Sequence, residues 1–264
     1  MSMEHLSTLP LIFRAQLRAL LVSKRALICF LLALGPVAAA VLVRYVSEAE
    51  GEPVPAFEVG WMLMVQSTMP LLALILGSAV VAEEIEDRTI SYLFTRPVPR
   101  ASVLLGRWLA TAFVTELLLG LSAAAMFAIL ERGAAPDAEM ALPPGMAAAM
   151  LRTVLLGGLV YSALFSAAGA FLKHPMIVGI GYTFVVEGFI ANLPGENPSL
   201  TIQFHLKSYL AGAGEGFAQR MVNLSSHQDL LPPEGALRTL WIVLAAALVV
   251  GCLAISRRQY VLPS

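Results

Sequence analysis

Long apolar runs alternate with short polar connections along this chain, and the runs are long enough to cross a bilayer. Six are predicted, at about 26–46, 60–82, 108–130, 147–172, 175–193 and 238–256. Each is expected to be helical, because hydrocarbon offers no water to satisfy the backbone of an isolated segment. Ahead of them, residues 1–25 place Leu6, Leu9, Phe13, Leu17, Leu20 and Leu21 at helical spacing, with Arg14, Arg18, Lys24 and Arg25 on the polar side. That pattern predicts an amphipathic helix lying in the membrane interface. Thr8 is the expected cap and Pro10 falls in the expected first turn.

Composition agrees with this pattern and narrows the class. The 264 residues are 58% hydrophobic and 13% charged, well below the quarter or so typical of soluble domains. Mean hydropathy is +0.78. The chain reads as one all-α integral membrane unit, residues 1–264, with no separate soluble domain. A net charge of −1 points to no nucleic-acid partner. A cleaved signal peptide is not expected, since the basic region is long and no small-x-small site closes the first apolar run.

The distribution of Lys and Arg gives an orientation. With the N-terminus inside, the cytosolic segments hold Arg14, Arg18, Lys24, Arg25, Arg88, Arg96, Arg100, Arg107, Lys173, Arg257 and Arg258, 11 of the 17 basic residues. Both termini are then cytosolic, and the first outer loop carries Glu48, Glu50, Glu52 and Glu58. Lys173-His174-Pro175 forms a tight cytosolic hairpin, while 131–146 is a plain outer link broken by Pro143-Pro144. The outer segment 194–237 is too long for a structureless loop. Short interfacial or re-entrant helices are expected in it, closing the outer end of a cavity.

The connection that stands apart is 83–107, charge-rich and on the cytosolic side. A helix is expected from Ala82 to about Thr95, with Glu84 four residues before Arg88. Arg96-Pro97-Val98-Pro99-Arg100 makes a corner because proline lacks the amide donor. A helix resumes from Ser102 into the third span.

Candidate chemistry is sparse. Cys29 and Cys252 lie in apolar runs and read as inert thiols; His5, His174, His205 and His227 are scattered; no metal-ligand spacing occurs. No phosphate loop of the G-x-x-x-x-G-K-[ST] type is present to bind nucleotide. Three ionisable residues fall inside predicted spans, Glu116, Arg152 and Glu187, which makes them functional candidates. Arg152 and Glu187 sit at matching depths and are expected to pair across helices. Gly157, Gly158, Gly169, Gly179, Gly181 and Gly188 allow close helix packing, within one subunit or between two.

The run E-E-x-E-D-R-T-x-x-x-L-x-x-R-P-V-P-R-x-x-V-L-L-G-R resembles the signature between the second and third spans of type-2 ABC transporter permeases, the membrane subunits of ABC exporters. Glu83, Glu84, Glu86, Thr89, Leu93, Arg96, Pro97, Val98, Arg100 and Gly106 match, while Arg88 replaces the usual glycine and Pro99 the common serine. The six-span layout extends the resemblance over nearly the whole chain.

The resemblance implies a coupling helix that docks on a separate ATPase subunit, with two permease protomers, identical or related, on two ATPase copies. The first and fifth spans would face the second protomer. Glu83, Glu84, Glu86, Asp87, Arg88, Thr89, Arg96, Pro97 and Arg100 would set the docking, and Tyr92, Leu93 and Phe94 would supply buried contact. ATP and magnesium would bind the partner, and this chain would carry no cofactor and no catalytic residue. Export by alternating access across the cytoplasmic membrane is the implied function. A complex that transmits force without moving a solute and a secondary transporter are the alternatives, although an inverted repeat of the latter kind is not evident.

Overall fold

A computed structural model describes residues 3–51, 54–86, 100–132, 145–189, 197–214, 216–218, 221 and 230–257. Among them the secondary structure is helical throughout, with no strand. Helix α1 covers Met3–Val22 and α2 Lys24–Glu50. Helix α3, Ala56–Gly60, runs into a π-helix, Trp61–Thr68 (π1), and then α4, Met69–Glu86. Helices α5, Arg100–Glu131, and α6, Met146–Phe171, follow. Helix α7, Pro175–Gly181, continues as a second π-helix, Tyr182–Phe189 (π2). A 3-10 turn, Asn197–Leu200, precedes α8, Ile202–Ala211, and α9, Pro233–Arg257, completes the bundle.

Among the described residues, five helices are long and apolar enough to cross a membrane: Lys24–Glu50, Ala56–Val80, Ala101–Glu131, Met146–Phe171 and Pro233–Arg257. They match the predicted spans 26–46, 60–82, 108–130, 147–172 and 238–256 within a few residues. The predicted span 175–193 is described only in part. Its described part is a seven-residue α-helix followed by an eight-residue π-helix. At about 1.5 Å per residue those residues account for roughly 20 Å, and 190–193 of the predicted span lie outside the described residues.

Helix α6 is the central post, with 72% of its apolar window buried, against 22% for α2 and for α9 at the periphery. Two glycines let α4 and α6 touch. A Cβ added at Gly169 would lie 2.7 Å from the Ser78 carbonyl oxygen, and one at Gly77 would lie 3.2 Å from that of Ser162. Hydroxyls supply cross-links, as expected where apolar packing alone gives little specificity. Ser122 Oγ donates to the Ala33 carbonyl at 2.5 Å, joining α5 to α2, and Trp108 Nε1 donates to Ser162 Oγ at 3.2 Å, joining α5 to α6.

The N-terminal helix begins earlier than predicted. It starts at Met3 and carries Pro10 inside it, so Thr8 is not its cap. The capping residue of this region is Ser23, whose Oγ accepts from Ala26 N at 3.1 Å while donating to the Leu20 carbonyl at 2.7 Å. One hydroxyl thus closes α1 and opens α2.

Candidate functional site

The polar insert is described at its two ends. Glu83, Glu84 and Glu86 fall in the last turns of α4, and Arg100 is the first residue of α5. Asp87, Arg88, Thr89, Tyr92, Leu93, Phe94, Arg96 and Pro97 lie outside the described residues, as does the expected helix beyond Glu86.

The base of the insert is closed by side chains. Arg107 Nη1, about two turns into α5, donates to the Val80 carbonyl oxygen of α4 at 2.8 Å. Beneath it Val80, Leu104, Ala170 and Ile255 form a buried cluster from α4, α5, α6 and α9. Four helix ends therefore meet at the insert end of the bundle. Helix α1 lies against the same leg: a Cβ at Gly106 would come within 3.0 Å of Ile12, and the rings of Phe13 and Phe113 meet edge to face at 6.2 Å.

The three intramembrane charges are not brought together. Both carboxylate oxygens of Glu116 are buried without a hydrogen-bond partner among the described residues, and Oε1 lies against Gly158 of α6, where a side chain would collide with it. Arg152 is exposed, and its Nε donates to the Ala148 carbonyl of its own helix at 3.1 Å. The expected Arg152–Glu187 pair is not formed.

Glu187 instead holds backbone. Fully buried at 0% exposure, its Oε1 accepts from Tyr182 Oη at 2.5 Å and from Ile202 N at 3.0 Å, and its Oε2 accepts from Gln203 N at 3.0 Å. Thr201 Oγ1 accepts from Phe204 N at 3.2 Å. The first three amides of α8, which no helical carbonyl can serve, are thus all satisfied. The π-helix explains the tyrosine. Its i→i+5 winding brings residues five apart over one another, and Tyr182 and Glu187 are five apart.

Neighbours fix the depth of this joint. Gln203 Nε2 donates to the Gln66 carbonyl at 3.4 Å, Leu206 meets Gly157 and Met69, Lys207 Nζ lies 5.9 Å from the Trp61 ring centre, and Phe217 meets Phe57 at 6.0 Å. Helix α8 therefore runs antiparallel to α3 and π1, from the level of Gln66 toward the end of the bundle opposite the insert. Gln66 lies ten positions inside the start of α3, about 15 Å at ~1.5 Å per residue and close to mid-membrane. Glu187, near the end of the described part of the fifth apolar segment, therefore lies against the start of α8.

A family description for ABC-2 family transporter proteins matches residues 11–241. The chain belongs to that family. No curated protein matches it significantly. This ABC-2 family protein is the membrane subunit of an ABC transporter, a multi-pass transport component that works with an ABC ATPase subunit.

Within this ABC-2 fold, Arg107, Val80, Tyr182, Thr201 and Gln203 are the site residues that the sequence did not single out. Two left traces. Thr201 precedes an apolar-periodic run as a cap should, and the helix it opens falls in the outer segment where short helices are expected. The Arg107 and Tyr182 contacts depend on helix register and on a π-helix, which residue spacing does not announce.

Proposed function

We propose that this chain exports a solute by alternating access, as one of two permease protomers moved by two copies of a separate ATPase. ATP and magnesium are bound by that partner. The insert between α4 and α5 faces the cytosol, both termini lie on that side of the cytoplasmic membrane, and the α7–π2–α8 assembly closes the outer end. The observation that carries this reading is the base of the insert, where a charged segment leaves the bundle through two helices clasped to each other and packed against α1. A push on such a segment is delivered to four helix ends at once.

The exposed apolar faces of α2, with Leu27, Phe30, Leu31 and Leu34, and of α7–π2, with Ile177, Phe184 and Val185, support contact with a second protomer along the first and fifth segments. Docking is tested on the insert. Glu84→Arg combined with Arg96→Glu should abolish copurification of the ATPase and its stimulated hydrolysis. Normal assembly and hydrolysis in that variant would remove the docking assignment.

A further inference from the structure

The described end of α7–π2 meets the start of α8, and a carboxylate joins them. Glu187 sits at the end of α7–π2, and both of its oxygens are spent on the amides that open α8, with Tyr182 of the same π-helix holding the carboxylate from the other side. Backbone amides at this depth have no water to fall back on. The positive end of the α8 dipole also faces the carboxylate, which strengthens the hold.

The α7–π2 half is held lightly. Gly179 packs on Leu74 and Tyr182 on Phe165, but Gly181 meets nothing within 4 Å, and Met176, Ile177, Val178, Ile180, Phe184 and Val185 are exposed. The α8 half is lodged in the bundle, with Leu206 at Gly157 and Gly212 against Pro233, the first residue of α9. A loosely held element is thus tied to a deeply seated one at a single polar joint.

We propose that Glu187 is the positioning residue of the gate at the far end of the bundle. While its carboxylate holds Ile202 and Gln203, α8 stays seated against Gly157 and the path past it is shut. When α7–π2 shifts, the joint either draws α8 with it or lets it go, and the seat empties. The part of this proposal that concerns movement during transport rests on the export reading; the latch itself does not.

The test is hydrogen–deuterium exchange on the full chain in phosphatidylcholine nanodiscs, comparing peptides from 202–211 with reference peptides from 146–171. In Glu187→Ala, exchange in 202–211 should quicken at least tenfold while 146–171 stays unchanged. Glu187→Gln keeps one acceptor oxygen and Tyr182→Phe keeps both, so each should give a smaller selective increase. Unchanged exchange in 202–211, or an equal rise in both regions, overturns the latch. If the alanine variant does not fold, the other two decide by the same criteria.

A second measurement uses the wild-type permease bound to its ATPase and trapped with ATP and vanadate. Faster exchange in 202–211 supports the gate, and unchanged exchange there overturns it. Failure of any ATPase to assemble with the chain counts against the export reading, and the nanodisc comparison still decides the latch.

Discussion

Arg107 of α5 donates its guanidinium to the backbone carbonyl of Val80 in α4 at 2.8 Å, closing the base of the charged insert. The two legs are 27 residues apart in sequence and are clasped where they leave the bundle. A guanidinium is permanently charged and presents several fixed donors, which a lysine does not. Arg107→Ala should therefore lower stability by about 1–2 kcal/mol, allowing for partial exposure of the contact. The larger effect should be functional: ATP hydrolysis by the assembled complex should continue with reduced stimulation by the permease. Arg107→Lys should recover stability better than stimulation. Thermal melting and ATPase assays on the same preparations check both.

Glycine positions differ sharply in what they tolerate. Gly169→Ala would drive a methyl into the Ser78 carbonyl, so a loss of about 1–3 kcal/mol is expected, as for overpacked cores. Gly181→Ala meets open space at ordinary helical angles and should be neutral or stabilising by up to about 1 kcal/mol. Melting temperatures of the two variants in one detergent separate them.

Glu187 and Arg152 are not partners, and charge exchange tests this directly. Arg152→Gln should change stability by less than about 0.5 kcal/mol, as for an exposed side chain bonded within its own helix. Arg152→Glu together with Glu187→Arg should be no better than Glu187→Arg alone. Recovery of folding in the double variant, read by size-exclusion profile and melting, would restore the pair.

Gly106 is where α1 lies closest to α5. Gly106→Val should push Ile12 away and loosen α1 from the insert leg, with assembly retained and stimulated hydrolysis reduced severalfold. Crosslinking between cysteines placed at Phe13 and Phe113, whose rings are in contact, reports the separation.

Much of this architecture could be read from residue order. Five of six predicted spans coincide with long helices, because apolar length is set by bilayer thickness and is visible in sequence. The remaining one, 175–193, is described only as far as Phe189. The apolar run at 175–193 contains Glu187, and sequence shows the cost of that carboxylate without showing the amides that offset it. Matching depth alone pairs that carboxylate with Arg152, whereas its partners are the Tyr182 hydroxyl and backbone groups of α8. Thr8 looked like a cap because threonine before proline often is one, yet the helix starts five residues sooner. Ser23, whose hydroxyl serves two helices at once, is recognisable only when both are seen together.

The acidic residue in α7–π2 also bears on how the chain enters the bilayer. An apolar segment carrying an acidic residue, at about 2.5–3.5 kcal/mol for an ionised group near the centre, is a poor substrate for insertion alone. The three-residue turn at 172–174 ties it to α6, which is long and strongly apolar, so the two insert as a hairpin. Glu187 then waits in hydrocarbon until α8 arrives, and the second half of the protein must mature after its helices have already crossed the membrane.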